Sequence, residues 1–212
     1  MMNAASPVRA CTLADVPVVT DILARAFQDD PAMTWIWPDA AQRSRRLPRF
    51  FDLITHTDVD PAHWHIALDR DGQPAAAALW RRPSRWEVPT RAMLRQLPRL
   101  VGTFGRDLPR ALRLQGLLDA NHMRYRHWYL QFVGCLPRSQ GQGLGGAVIR
   151  AGLARADESG LPAYLETATP DNVGLYQALG FDIIKTYGMT GGPDFWSMCR
   201  PAPGKDHASH AH

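Results

Sequence analysis

The sequence predicts one α/β domain with a mixed central sheet of about seven strands, flanked by four or five helices. Strand-like and helical segments alternate along the whole chain, as expected of layered α/β packing. The length of 212 residues suits one hydrophobic core and is short for two. The strongest signal is an aromatic and branched strand that leads through a glycine-rich loop into a helix.

The N-terminal part of the domain is predicted to begin with a short strand at Val8–Cys11. Asp15 then occupies the position of a helix N-cap, before an apolar pattern with helical spacing that ends near Phe27. Residues 29–38 contain two prolines and two tryptophans and are predicted to form a loop. A helix is expected around residues 47–54.

A β-hairpin is predicted in the next segment. Apolar strands at His65–Leu68 and Pro74–Trp80 flank the dipeptide Asp71-Gly72, and Asp-Gly between two strands is a strong hairpin signal. Residues 88–118 are then predicted to contain two helical stretches that break near residues 98–105, where a proline and glycines occur.

The C-terminal half alternates between strands and helices. We predict a strand at Trp128–Leu136, a helix at Gly143–Ser159 that is ended by Gly160, a strand at Ala163–Thr167, a short helix at Val173–Leu179, and strands at Phe181–Thr186 and Phe195–Cys199. The domain is therefore expected to span residues 8–200, with a flexible N-terminus at residues 1–7 and a disordered tail at residues 201–212.

The composition is that of an ordinary globular protein, with 45% hydrophobic residues, 21% charged residues and a net charge of +4. No apolar run is long enough for a membrane span, and the N-terminus has no secretion signal, so we expect a cytoplasmic protein. The three cysteines are too widely spaced for a disulfide framework, and no metal-binding spacing occurs. The arginines are scattered without a nucleic-acid-binding motif, so neither a metal nor a nucleic-acid partner is expected.

The glycine-rich loop at residues 136–146 is predicted to bind a phosphate group. Glycines let the backbone approach a ligand closely, and the amides and dipole of the following helix favour negative charge. The loop lacks the Gly-Lys-Ser/Thr of ATP-binding loops. It matches the dinucleotide pattern at Gly141, Gly143 and Gly146, with Glu166 twenty residues later. Only residues 147–212 remain for the rest of such a sheet, however, and this disfavours a dinucleotide fold.

The spacing Gln140-x-x-Gly143-x-Gly145, preceded by an apolar strand, resembles the acyl-CoA-binding loop of the GNAT superfamily of acetyltransferases. The run Leu175-Tyr176-x-x-Leu179-Gly180-Phe181 resembles the second half of the same fold. The resemblance implies a single-domain GNAT fold whose loop amides hold the pyrophosphate of acetyl-CoA.

Within that superfamily the chain resembles the puromycin N-acetyltransferase branch. The similarity is dense over residues 128–181 and sparse before them, and it includes Gly192-Pro193 near the C-terminus. The chain departs from that branch at Asp30, where the puromycin enzyme has an aromatic residue before the proline of its first loop. The resemblance therefore implies the donor and leaves the acceptor open.

The resemblance also implies which residues bind the donor. Main-chain groups of Val133, Gly134 and Cys135 would pair with the pantetheine arm, although Val133 and Cys135 also fit a simple core strand. Asn172 would bond the same arm, or it could equally cap a helix. The remaining contacts would come from the loop residues Gln140, Gly141, Gln142, Gly143, Leu144, Gly145 and Gly146.

Two residues are predicted to transfer protons. Tyr176 is the candidate general acid, because a phenol with a pKa of about 10 can protonate the departing thiolate, although such a tyrosine can also be plain core. Glu166 is the candidate general base for the acceptor ammonium, although it could instead be paired with an arginine. Cys135 with His122 or His127 would make a nucleophile pair, but a buried, inert thiol explains it more simply.

The acceptor is predicted to lie against Phe27, Asp30, Trp35 and Trp80. Aromatic groups with one carboxylate suit a cationic amine that carries an apolar body, and each tryptophan could equally be core. We therefore expect a monomeric or homodimeric enzyme that transfers acetyl from acetyl-CoA to a primary amine of a small molecule. The alternatives are a protein amine as the acceptor, and an acyl-CoA-binding module without turnover.

Overall fold

The protein is described by a computed structural model that covers residues 7–57, 60–83 and 90–204. The predicted flexible N-terminus and the predicted tail lie outside these residues, except for Pro7 and residues 201–204, of which Ala202 is buried. The predicted start of a helix at Val88 also lies outside them.

The described chain forms seven strands and seven α-helices. The strands are β1 (Val8–Ala10), β2 (Trp64–Leu68), β3 (Pro74–Arg81), β4 (Trp128–Cys135), β5 (Ala163–Thr167), β6 (Asp182–Gly188) and β7 (Asp194–Arg200). The helices are α1 (Val16–Ala26), α2 (Pro31–Ile36), α3 (Ala40–His56), α4 (Thr90–Phe104), α5 (Leu108–Asn121), α6 (Leu144–Glu158) and α7 (Val173–Ala178).

All seven strands belong to one mixed sheet in the order β1-β2-β3-β4-β5-β7-β6, which confirms the predicted fold class. Neighbouring strands are antiparallel except for β4 and β5, which are parallel. Helix α6 supplies the crossover that a parallel pair requires. The predicted hairpin is β2–β3, with Ile66 opposite Ala77 and Gly72 in the turn at a φ of 73°.

Helices cover both faces of the sheet and approach it at two glycines. On one face α1 packs against β3 and β4, where a β-carbon at Gly134 would lie 2.7 Å from the β-carbon of Ala26. On the other face α6 packs against β2, β3 and β4, where a β-carbon at Gly152 would overlap the indole of Trp80. Both helices can therefore approach the sheet this closely only because Gly134 and Gly152 have no side chain.

The sheet opens at its centre, between β4 and β5. Strand β4 carries one extra residue, Gln131, relative to β3, and its parallel pairing with β5 ends at Leu130–Leu165. Residues 132–135 stay paired with β3 on one side. On the other side these described residues have no strand partner, so the gap presents unpaired main-chain groups just before the glycine-rich loop.

The predicted loop at residues 29–38 is wrong, because these residues contain α2. The Asp30 carboxylate caps this helix by accepting hydrogen bonds from the amides of Ala32 and Met33, both over 3.0 Å. Pro31 occupies the first turn, where a missing N–H removes no helical hydrogen bond. Proline, which suggests a loop in this segment, therefore occupies the start of a helix that Asp30 caps.

The described residues form seven α-helices, including α2, whereas the sequence predicts four or five helices. Smaller differences concern the ends of the helices. The break expected near residues 98–105 occurs at Gly105, whose φ is 54°, while Pro98 lies inside α4. Asp15 stands at the N-cap position of α1 without a capping hydrogen bond. It pairs instead with Arg9 over 2.6 Å and accepts a hydrogen bond from the amide of Thr12 over 2.8 Å.

Candidate active site

The loop before α6 presents free amides at the positive end of a 15-residue helix. The turn requires two residues with a positive φ, which are Gly141 at 74° and Gly143 at 76°. The first helical hydrogen bond runs from the amide of Ala147 to the carbonyl of Gly143, so the amides of residues 144–146 have no partner within the helix. A β-carbon at Gly145 would meet no atom within 4 Å. This open cradle of amides fits a pyrophosphate.

The gap beside β4 leads directly into this cradle. Val133, Gly134 and Cys135 line it with main-chain groups, which is the arrangement that an amide-containing ligand arm can extend as an added strand. Burial raises the pKa of the Cys135 thiol, and its Sγ lies 3.7 Å from the carbonyl oxygen of Leu136. These features favour the inert thiol over the nucleophile.

Tyr176 lies on the α7 side of the site with its ring buried and 5% of its surface exposed. Among the described residues its hydroxyl makes no hydrogen bond. Burial and the nearby charge of Asp30 raise its pKa well above the usual value, so it stays a neutral proton donor. Asn172 is the N-cap residue of α7, but its side chain makes no capping hydrogen bond and so is available to a ligand.

The Glu166 carboxylate is buried, with 3% of its side chain exposed, and is held by three tyrosine hydroxyls. Its Oε1 accepts from Tyr164 over 2.9 Å and from Tyr187 over 3.2 Å, and its Oε2 accepts from Tyr129 over 3.0 Å. Burial raises the pKa of all three tyrosines, so they remain donors. The arginine partner that the sequence leaves open is not observed among the described residues.

Two buried histidines complete the surroundings of Glu166. Nδ1 of His122 lies 3.5 Å from Oε1 of Glu166, and Nε2 of His122 lies 3.2 Å from Nε2 of His127. The sequence gives both histidines only as possible partners of Cys135. One signal for the tyrosine contacts was available: Tyr164 and Glu166 are two apart on one strand and so share a face.

The structure separates Trp80 from the other predicted acceptor residues. Phe27 packs edge-on against Phe132, with ring centroids 5.7 Å apart, and Asp30 is committed to capping α2. The structure places Trp80 in the core on the α6 face, 1% exposed. Trp35 lies on α2, the helix that Asp30 caps, and its Nε1 donates to the carbonyl of Gly191 over 2.7 Å.

Trp35 borders a surface groove of about 360 Å³ that the sequence did not predict. The turn between β6 and β7 forms one wall, three residues after Tyr187, and α5 forms the other. Arg110 and Arg113 of α5 are both exposed there, and the described residues of the lining include no acidic side chain. The groove lining is Trp35, Pro109, Arg110, Arg113, Thr190 and Gly191.

Two further properties concern the described residues as a whole. Within residues 7–57, 60–83 and 90–204, no three histidine, cysteine, aspartate or glutamate side chains are grouped so as to hold a metal ion. In the same part of the chain, no helix combines the length and the apolar character that crossing a membrane requires.

The model of one protein family, described as the acetyltransferase (GNAT) family, matches residues 19–181. A solved Corynebacterium glutamicum structure, described as histone acetyltransferase HPA2 and related acetyltransferase, is 27% identical over 94% of this chain and 97% of its own, with a TM-score of 0.72. The polyamine N-acetyltransferase of Drosophila melanogaster is 17% identical over 91% of this chain and 98% of its own, with a TM-score of 0.59. A Sinorhizobium meliloti phosphinothricin acetyltransferase in complex with AcCoA is 17% identical over 94% of this chain and 89% of its own, with a TM-score of 0.53.

Proposed function

The chain belongs to the GNAT family of acetyltransferases, and on that premise we propose that it transfers acetyl from acetyl-CoA to a primary amine of a small molecule. One observation carries this proposal. The sheet opens beyond Leu130–Leu165, and the opening runs into a loop of free amides at the start of α6. A strand edge followed by an anion cradle suits a ligand with an amide-bearing arm and a pyrophosphate.

The donor is held mainly by main-chain groups in this proposal. Val133, Gly134 and Cys135 pair with the pantetheine arm, and an amide of this stretch faces the thioester oxygen, where it stabilises developing negative charge. Asn172 bonds the arm from the other side of the gap. The loop residues from Gln140 to Gly146, including Gln142 and Leu144, surround the pyrophosphate.

Tyr176 and Glu166 move the protons. Glu166 takes the ammonium proton of the acceptor, and because its side chain is 3% exposed, it does so through a tyrosine hydroxyl or a water molecule. The neutral amine then attacks the thioester carbon, the new C–N bond forms and the C–S bond breaks. Tyr176 donates its proton to the departing sulfur, and the second proton of the acceptor nitrogen passes through water to the resulting Tyr176 phenolate. The Tyr176 hydroxyl, which makes no hydrogen bond among the described residues, supports this role.

The acceptor enters through the groove beside Trp35, whose β6–β7 wall follows Tyr187 in the chain. Its lining contains two arginines and, among the described residues, no acidic side chain, which favours an amine that also carries an acidic group. Relatives described as polyamine and phosphinothricin acetyltransferases support a small-molecule acceptor. Membership of the puromycin N-acetyltransferase branch is part of the proposal and is supported by the similarity of residues 128–181.

The proposal is tested by thermal shift with acetyl-CoA, followed by thiol release from acetyl-CoA across a panel of amines. The panel contains aminonucleosides, aminoglycosides, polyamines, amino acids and a lysine-containing peptide. We expect stabilisation by acetyl-CoA and turnover with at least one small amine. Turnover of the peptide alone would point to a protein acceptor instead. Stabilisation with no turnover on any amine would favour a binding module, and no stabilisation would reject the donor.

A further inference from the structure

The two histidines beside Glu166 have no role in the reaction proposed above, yet both are buried in contact with its base. His122 is 6% exposed and His127 is 2% exposed. They form a chain of contacts that runs from the carbonyl of Tyr125 through His127 and His122 to Glu166. The order of donors and acceptors along this chain can be derived from its first member.

A carbonyl oxygen can only accept a hydrogen bond, so Nδ1 of His127 must carry a proton toward Tyr125. Burial lowers the pKa of His127 to about 4, which leaves its ring neutral at neutral pH. Its Nε2 therefore has a lone pair and accepts. The nitrogen that it contacts over 3.2 Å, Nε2 of His122, must be the donor.

This order leaves the other nitrogen of His122 in a conflict. A neutral ring with its proton on Nε2 has a lone pair on Nδ1, and that atom faces Oε1 of Glu166 over 3.5 Å. An imidazole lone pair against a carboxylate oxygen is a contact between two acceptors, which is unfavourable in a buried site. The conflict disappears when one proton lies between the two groups.

We propose that His122 and Glu166 share one proton and work as a single acid–base unit, with His127 as the positioning residue that fixes the tautomer of His122. This rests on the proposed role of Glu166 as the base. Among the described residues, the groups that face the unit include Tyr129 from β4, Tyr164 from β5, Tyr187 from β6 and His127 from the α5–β4 connection. Ser197 from β7 bonds Tyr164, and the charge of Arg81 from β3 acts on Tyr129.

The unit accepts the ammonium proton of the acceptor only after its own shared proton has left. In the described part of the chain, the contacts from His122 through His127 end at the backbone carbonyl of Tyr125, which cannot accept a proton for onward transfer. In this proposal the shared proton leaves, and the substrate proton arrives, at the Glu166 end. One proton moves from the ammonium nitrogen to the unit and then to solvent in each turnover.

The shared proton is tested without catalysis, by NMR of the full chain labelled with ¹⁵N-histidine and free of acetyl-CoA. We expect His127 to be neutral with its proton on Nδ1. We expect His122 to carry protons on both nitrogens at neutral pH. In Glu166→Gln, the amide can donate to Nδ1, and His122 should become neutral. A neutral His122 in the wild-type protein at neutral pH would overturn the proposal.

The consequence for catalysis is tested by the pH dependence of kcat/KM with the best amine of the panel. In His122→Asn the acidic limb should move down by at least about one pH unit and kcat should fall by about 100-fold, with KM for acetyl-CoA unchanged. In His127→Phe, His122 can donate from Nδ1, so the limb should also move down. His56→Gln is the surface control and should leave the profile unchanged.

A uniform loss at every pH in both variants, with the limb in place, would make the histidines structural and reject the unit. The two proposals fail separately. If the NMR result is as expected but the wild-type protein turns over no amine, the shared proton stands and the acetyltransferase function is rejected.

Discussion

The hydroxyl of Tyr129 donates a hydrogen bond of 3.0 Å to Oε2 of Glu166, across the last paired stretch of β4 and β5. In the described part of the chain, Oε2 has no other donor, whereas Oε1 accepts from both Tyr164 and Tyr187. The strand edge at which the sheet opens and the carboxylate that we propose as the base are thus joined by one side chain.

Tyr129→Phe should therefore destabilise the protein more than Tyr187→Phe does. The first change leaves one buried carboxylate oxygen without a donor, at an expected loss of about 1–3 kcal/mol in the free energy of unfolding. The second leaves Oε1 with Tyr164, so a loss of less than about 1 kcal/mol is expected. Urea denaturation of both variants measures the difference, and equal losses would contradict the asymmetry between the two oxygens.

Tyr176→Phe should lower kcat by about 100-fold or more and leave the affinity for acetyl-CoA within about twofold, because the lost hydroxyl acts on the departing sulfur. Stopped-flow thiol release and calorimetry separate the two quantities. The hydroxyl has no hydrogen-bond partner among the described residues, so the free energy of unfolding should be nearly unchanged. An unaltered kcat would remove the acid role.

Asp30→Asn is the matched control for that variant. Asparagine caps a helix as well as aspartate, so the stability of the fold should be preserved, whereas Asp30→Ala should lose about 1 kcal/mol. The charge of Asp30 helps to raise the pKa of Tyr176. Its removal should therefore lower that pKa and leave an active enzyme, whereas a loss as large as that of Tyr176→Phe would place Asp30 in the chemistry.

Gly143→Ala and Gly145→Ala form a pair that separates backbone strain from helix propensity. Gly143 has a φ of 76°, so alanine there should lose about 1–2 kcal/mol of stability and weaken acetyl-CoA binding by distorting the amide cradle. Gly145 is helical with open space at its β-carbon. Alanine there should gain about 0.5–1 kcal/mol and retain binding. Thermal unfolding and calorimetry measure both, and similar behaviour of the two variants would reject the loop geometry.

Arg113→Ala and Arg110→Ala should raise KM for amines that carry an acidic group, by about five- to tenfold each, and leave KM for uncharged amines unchanged. Both arginines line the groove beside Trp35, where the described residues include no acidic side chain. Arg45→Ala, on the exposed side of α3, is the control for a change in net charge. The same rise in KM for all amines, or a rise in the control, would show that the groove does not select the acceptor.

The strand, loop and helix of the proposed donor site could be predicted because their signals are contiguous. They lie between Trp128 and Glu158, and the structure shows that the loop glycines at 141 and 143 have a positive φ. The mixed sheet could be predicted for the same reason, since each strand has its own local pattern. Contiguous patterns depend on local backbone preferences, which the sequence expresses directly.

The acceptor half depends on contacts between distant segments. Tyr187 reaches Glu166 only because β7 lies between β5 and β6 in the sheet order, and no spacing along the chain expresses that order. A tryptophan is a common pocket residue, but the Trp80 indole packs against α6 in the space that a side chain at Gly152 would fill, and it is buried in the core. Its role could not be predicted without the partner helix.

The stability of the protein should fall as the pH decreases from about 6.5 to about 4. Burial lowers the pKa of both His65 and His127 to about 4 in the folded protein. In this range the unfolded chain binds the protons that the folded chain excludes, so each histidine should cost about 2 kcal/mol at about pH 5 relative to neutral pH. His65→Leu removes one of these groups together with its buried, unpartnered Nδ1. The free energy of unfolding, measured by urea titration at several pH values, should therefore depend less steeply on pH in this variant than in the wild type and in the surface control His56→Gln. An equal slope in all three proteins would mean that His65 takes up its proton without unfolding.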